Sequence, residues 1–219
     1  MAKQERSERT RKALVEAAAV AFDRDGFTGA SLTQISGDAG VTKGALSFHF
    51  ASKDDLADAV QELAVVRTRQ IMDSVIRRPA PALQSVIDAT HVLARLLHED
   101  VTARAGVRLS RERDRPHPQA DWYTAWLQPM RGLLLRAGSD HSLRPDADIQ
   151  AVSVLVAYVV TGCEPSARNQ LKLSEILPLE GPSASVAGSP RQWLERIWRL
   201  LLPEIAGESE SLRPEGMLR

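Results

Sequence analysis

The chain has 219 residues, a formal net charge of zero, 26 % charged and 43 % hydrophobic side chains. This is the balance of a folded globular protein with enough chain for a sizeable core, and it excludes a low-complexity or charge-swollen disordered polypeptide. One cysteine, Cys163, excludes an internal disulfide and a multi-cysteine zinc site. Among the five histidines only His91 and His98 share a helix face, too far apart to hold one metal comfortably, so no metal and no cofactor is expected. The start, Met1 to Arg6, is charged and no short apolar run follows it, and the most apolar stretch, Val152 to Cys163, is shorter than the ~20 residues that cross a bilayer. No targeting segment, no membrane partner and a cytoplasmic location are expected.

Apolar residues recur at helical spacing throughout. The first helix is predicted over about Ser7 to Asp25, with Leu14, Ala18, Ala21 and Phe22 on one stripe and Gly26 as its stop. Its approach is basic: residues 1–12 carry five cationic groups against two anionic ones. Ser31 and Gln34 have the spacing of a capping box for a short second helix, with Leu32, Ile35 and Ala39 as its apolar face and Gly40 as its end. Thr42 is the expected N-cap of a third helix from Lys43 to about Phe48. Ser52-Lys53-Asp54-Asp55 opens a fourth, which runs towards Arg78 and is stopped by Pro79 and Pro81. Further helices are predicted at about Ala82–Leu97, Val101–Arg111, Asp121–Arg136 (where Pro129 should kink or end it), Ala147–Leu173 and Arg191–Pro203. Leu177–Pro190 is rich in turn formers and reads as a mobile loop.

Helix, glycine turn and short helix between Leu32 and Phe50 is the plan of a helix-turn-helix, whose second helix enters the major groove of DNA. Leu46 and Phe50, four apart, can pack inwards, while Lys43 and Ser47, also four apart, share another side. Thr42 offers a hydroxyl and adjacent amides to a phosphate. Gly44 is the telling residue. A glycine within a helix costs about 1 kcal/mol relative to alanine, which makes sense where the backbone must approach another surface, and Ala45 extends the small-residue strip between Lys43 and His49. An ordinary helical hairpin with a tolerated glycine is the alternative reading.

The run Ala39-Gly40-Val41-Thr42-Lys43-Gly44-Ala45-Leu46-Ser47-Phe48-His49-Phe50, followed by Ser52-Lys53-Asp54-Asp55-Leu56, resembles the signature of TetR-family repressors, as does the lead-in from Arg9 to Phe27. The resemblance spans roughly residues 9–60. It implies an all-α fold with an N-terminal three-helix helix-turn-helix DNA-binding domain and a C-terminal helical ligand-binding and dimerisation domain. It also implies groove-facing roles for Thr42, Lys43, Gly44 and Ala45, phosphate contacts from His49 and Lys53, and helix-start contacts from Ser31 and Thr33; Ser47 and Phe48, on the same helix, are expected to bind DNA with them. The family ordinarily has a tyrosine, whose ring reaches a phosphate, where this chain has Ser47.

Val101-Thr102-Ala103-Arg104-Ala105-Gly106-Val107-Arg108-Leu109-Ser110 resembles the segment after the DNA module in γ-butyrolactone receptors, the TetR-type sensors of small autoregulators. Those receptors place a tryptophan over the ligand pocket, and Trp126 matches it. From the residues alone, Trp122 and Trp126, one turn apart, either fill a core or face an apolar ligand. The expected ligand set is Trp126, Trp122, Met130 and Val159. The resemblance further implies a two-fold dimer, to which Leu155, Val156, Trp193, Ile197 and Leu200 are assigned, and a pseudo-palindromic operator. The expected partners are therefore double-stranded DNA, a lactone-like effector (a γ-butyrolactone, butenolide or furan) and a second copy of the chain. A pseudo-receptor answering an antibiotic or another metabolite is the alternative. An enzyme is disfavoured, because no nucleophile–base–orienter grouping, phosphate-cradling loop or paired carboxylates on an apolar face can be found. The expected division is a DNA-binding domain at 1–53, a ligand-binding and dimerisation domain at 54–206, and a disordered tail at 207–219.

Overall fold

A computed structural model describes residues 2–113, 121–167, 190–207 and 212–217. Its helices are α1 (Ala2–Gly29), α2 (Leu32–Asp38), α3 (Lys43–His49), α4 (Lys53–Ile76), α5 (Ala82–Glu99), α6 (Val101–Glu112), α7 (Trp122–Ser139), α8 (Ile149–Ala167) and α9 (Pro190–Ile205). No strand occurs among the described residues, whose one β-type contact is an isolated bridge between Leu143 and Ala206, so the all-α expectation holds. None of the described helices is long and apolar enough to cross a membrane.

Several boundaries differ from expectation. α1 starts at Ala2 rather than near Ser7, and its backbone leaves the helix at Gly26 with φ 76°, a left-handed angle glycine adopts without strain. Pro129 does not end α7, which continues to Ser139. A proline deletes one amide from the ladder, and packing along the apolar face of α7 (Met130, Leu133, Leu134 and Ala137, all buried) carries the helix past it. Residues 168–173 of the expected eighth helix, and 177–189 of the expected loop, lie outside the described residues.

The chain divides into two compact units, one of residues 1–69 with 100–125, the other of residues 70–99 with 126–219. The first therefore reaches beyond the expected boundary at 53. Its core joins Leu14, Ala18 and Phe22 of α1 to Ile35 of α2, Leu46 of α3 and Leu56 of α4, and Ala105 and Leu109 of α6 complete it. Gly106 lies so close to Ala64 that a Cβ there would collide with the alanine methyl, which sets the spacing of α6 on α4.

The second unit is organised around α5, where every residue from Ala82 to Ala94 is buried. Its first amides, orphaned by helix geometry, are satisfied by Asp140 (2.8 Å from the Ala82 nitrogen) and Ser142 (3.0 Å from the Leu83 nitrogen). Burial pushes the Asp140 carboxyl up, but hydrogen bonds from Ser142 and Ala82 outweigh it and hold the group below its ordinary value. On α9, the Trp198 indole donates to Thr90 Oγ1 of α5 at 2.9 Å. Residues 212–217, expected within a disordered tail, instead lie against α5 through four backbone hydrogen bonds to Gln84, Asp88 and His91. Buried polar side chains on α5 need partners, and the returning backbone supplies them.

Candidate nucleic-acid interface and effector cleft

The turn between α2 and α3 is made by Gly40 at φ 67°, closed by the Gly40 and Val41 amides donating to Gly37 and Ser36 at 2.9 Å. Thr42 then caps α3, its Oγ1 accepting from the Ala45 amide at 3.1 Å. That leaves the hydroxyl proton free to donate outwards. Leu46 and Phe50 are buried as expected, and the Arg11 guanidinium lies 5.2 Å from the centroid of the Phe50 ring, tying α1 to the end of α3.

The opposite side of α3 is open. Thr42, Lys43, Gly44, Ser47 and Phe48 are exposed, while Ala45 and His49 are half-buried. Phe48, 81 % exposed, sits edge-on to the His49 ring. Beside Gly44 the nearest atom to a built Cβ is Thr42 Oγ1 at 3.8 Å. Nothing inside the protein therefore demands a glycine there. Ser31 and Thr33 are exposed at the start of α2. The expected capping box is not formed, because the Ser31 side chain makes no cap hydrogen bond.

Lys53, expected at a phosphate, is turned into its own fold. Its ammonium donates to the carbonyls of Thr28 (3.2 Å) and Ala30 (3.1 Å) and lies 4.8 Å from the centroid of the Phe27 ring. Carbonyls left over at the end of α1 are the nearest acceptors. At the same helix start Ser52 and Asp55 form a reciprocal cap, each accepting from the other's amide at 3.0–3.1 Å.

Sequence reasoning missed a polar clasp within the first unit. Arg104, Arg108 and Glu112 follow one another at four-residue intervals on α6 and meet the end of α1. Arg104 Nε pairs with Asp23 at 3.1 Å. Arg108 donates to the carbonyls of Asp23 (2.9 Å) and Arg24 (3.1 Å). Glu112, ion-paired to Arg108, accepts from the Phe27 amide. A Cβ on Gly26 would run into both Arg108 and Glu112. One residue on, Arg113 is buried against the Phe27 ring and pairs with Asp54 and Asp58 of α4. The four-residue spacing was the available signal; its target was not.

In the second unit, Trp126 and Met130 of α7 are buried and line a cleft of about 520 Å³ with Leu134, and with Gln150, Ser153 and Val154 of α8. Gln128 and Arg131 add polar groups to its lining. The other two residues of the expected ligand set go elsewhere. Trp122 belongs to the first unit, where its indole donates to Thr68 Oγ1 at 3.0 Å. Val159 lines a separate small cavity with Ile197 and Trp198. Of the residues assigned to dimerisation, Leu155 (36 % exposed) and Leu200 (77 %) are surface apolar groups, beside Val154 and Tyr158. Trp193 and Ile197 are half-buried. Val156, 2 % exposed, belongs to the chain's own core and offers nothing to a second copy.

Residues 14–60 match the bacterial regulatory proteins of the tetR family. The whole chain is 32 % identical over 222 residues to the A-factor receptor protein of Streptomyces griseus, covering 99 % of this chain and 71 % of that one. A crystal structure of a γ-butyrolactone receptor (ArpA-like protein) superposes with a TM-score of 0.75 at 28 % identity, covering 96 % of this chain and 94 % of that one. The TetR family protein CprB of Streptomyces coelicolor, solved with its biological operator sequence, gives a TM-score of 0.71 at 30 % identity, over 93 % and 92 % of the two chains. With a helix-turn-helix whose outer face is open and 32 % identity to the A-factor receptor over 99 % of its own residues, the chain belongs to the TetR family of bacterial regulatory proteins, in the group of the A-factor and γ-butyrolactone receptors.

Proposed function

We propose that the chain is a cytoplasmic, homodimeric transcriptional repressor that binds a pseudo-palindromic operator and releases it when a small autoregulator, such as a γ-butyrolactone, butenolide or furan, enters its second unit. The observation that carries this reading is the face of α3: an unobstructed strip at Gly44 flanked by Lys43, Thr42 and Ser47, on a chain resembling the A-factor receptor along its length. Thr42 and Lys43 approach the duplex at the helix N-terminus, where amides and charge favour phosphate. Ala45, Ser47, Phe48 and His49 extend the contact, with Ser31 and Thr33 on the flanking backbone.

The cleft beside Trp126 and Met130 suits a ligand with an apolar body and a polar head, since an indole face and a thioether adjoin Gln128, Gln150 and Ser153. The exposed Leu155 and Leu200 mark the surface for the second copy. DNA and effector then oppose each other by linkage, with a coupling of ~1–3 kcal/mol.

The reading is tested on DNA from upstream of the protein's own gene. Affinity should fall steeply with salt, and a panel of synthetic γ-butyrolactones should include one that lowers it. A flat salt response, or operator affinity indifferent to every autoregulator tried, would overturn the corresponding half.

A further inference from the structure

Gln84, Asp88 and His91 stand four and three residues apart on α5, which puts them on one face. All three are buried, at 1 %, 2 % and 7 % exposure. Their partners are main-chain groups of the C-terminal segment. Gln84 accepts from the Arg213 amide at 2.7 Å and donates to the Arg213 carbonyl at 3.2 Å, engaging both main-chain groups of one residue. Asp88 Oδ1 accepts from the Met217 amide at 2.7 Å, and His91 Nε2 meets the Pro214 carbonyl at 2.8 Å. The segment turns back at Gly216, φ 73°, whose amide donates to the Arg213 carbonyl. A Cβ on Gly216 would sit 3.0 Å from the His91 ring.

We propose that residues 212–217 form a latch seated on this polar row, and that a proton on His91 opens it. A carbonyl only accepts, so the hydrogen of a neutral His91 must be on Nε2, leaving Nδ1 bare. Nδ1 is buried and has no hydrogen-bond partner among the described residues. A second proton would create a buried N–H there with no acceptor among the described residues, a costly arrangement. The charged groups acting on the ring are Asp88 on α5 and Arg191 and Glu195 on α9. Burial is the strongest influence and disfavours the charged ring. The Pro214 carbonyl, Asp88 and Glu195 favour it and Arg191 opposes it, and the balance lies below the ordinary histidine value. With the latch lifted, water reaches the ring and the ordinary value returns. Proton binding therefore favours the open state: the latch is closed at neutral pH and above, and loosens as pH falls below about 6.5.

Because the seat reads main chain, the latch depends on conformation more than on side-chain identity, apart from Gly216. The test is amide hydrogen exchange of the C-terminal peptide in the full-length protein. It is followed by mass spectrometry and normalised at each pH to the free peptide of residues 208–219. Wild type should be protected at pH 7.5 and lose part of that protection, at most about tenfold, at pH 5.5. His91→Gln, which keeps a donor for the Pro214 carbonyl but does not titrate, should hold the same protection at both values. Gly216→Ala should lose it at both while the thermal melt of the protein persists. An unprotected wild-type peptide at pH 7.5, or a pH dependence that survives His91→Gln unchanged, would overturn the proposal.

Discussion

The backbone amide of Phe27 donates to the carboxylate of Glu112 at 2.7 Å, joining residues 85 positions apart in the chain. Phe27 follows the left-handed Gly26, so this bond and the two from Arg108 hold the point where α1 leaves its helix. Glu112→Ala or Arg108→Ala should lower unfolding free energy by about 1–3 kcal/mol, since hydrogen bonds to charged groups exceed neutral ones. Burial pushes the Glu112 carboxyl up, but Arg108 and the Phe27 amide prevail and hold it below its ordinary value. A depressed acid stabilises the fold above its ordinary value and loses that contribution as pH falls through the depressed one. Denaturant titrations should therefore show wild type and Glu112→Ala converging below about pH 4.

Gly44 separates fold from function. Its side is open, so Gly44→Ala should leave the fold intact and raise helix stability by up to about 1 kcal/mol. Gly44→Leu should also fold, yet abolish operator binding, because the added bulk stands where the duplex backbone would lie. Thermal melts read beside gel-shift titrations check both halves.

Lys43 and Ser47 should differ in how salt reveals them. Lys43→Ala removes one cation from each of the two protomers on the operator, so it should weaken binding across DNA sequences and flatten the log–log salt slope by about 1.8, at about 0.9 per contact. Ser47 is exposed, leaving room for a larger ring. Ser47→Tyr adds a neutral phosphate donor and should strengthen binding several-fold, as one hydrogen bond does, with the slope unchanged. Operator titrations between low and moderate salt measure both.

Trp126 and Trp122 are both buried but should fail differently. Trp126→Phe keeps most of the volume and removes the larger face from the cleft; effector concentrations needed for release should rise while operator affinity stays. Trp122→Phe removes the donor to Thr68 Oγ1, whose own proton stays on the Ala64 carbonyl, and should cost stability instead, by about 1 kcal/mol. Release curves and denaturation midpoints distinguish the two.

Cys163 is buried, and burial pushes its thiol up to about 11. At pH 8 it is neutral, and the thiolate is the reactive form. A thiol reagent should label the folded protein negligibly and the denatured chain fully within the same incubation.

What was legible in the sequence is what neighbours along a helix decide. The stripe of Leu14, Ala18 and Phe22, the Gly40 turn, the Thr42 cap and the split of α3 into a buried Leu46–Phe50 side and an exposed Lys43–Ser47 side all follow from spacings of three or four residues. The backbone returns such spacings to one face whatever packs there. The exposed face of α3 was readable for the same reason, being local and left uncovered.

Where each face was headed belonged to the tertiary structure. Lys53 donates to the carbonyls ending α1, partners that no spacing along its own helix announced. Val156 looked like an interface residue until its own core took it, and Trp122 and Trp126, one turn apart, were allotted to different units. The Phe27–Glu112 bond and the seat of residues 212–217 join groups 85 and 129 positions apart. A buried polar group takes whichever complementary atom folding brings within about 3 Å, and that identity is written in no stretch of neighbouring residues.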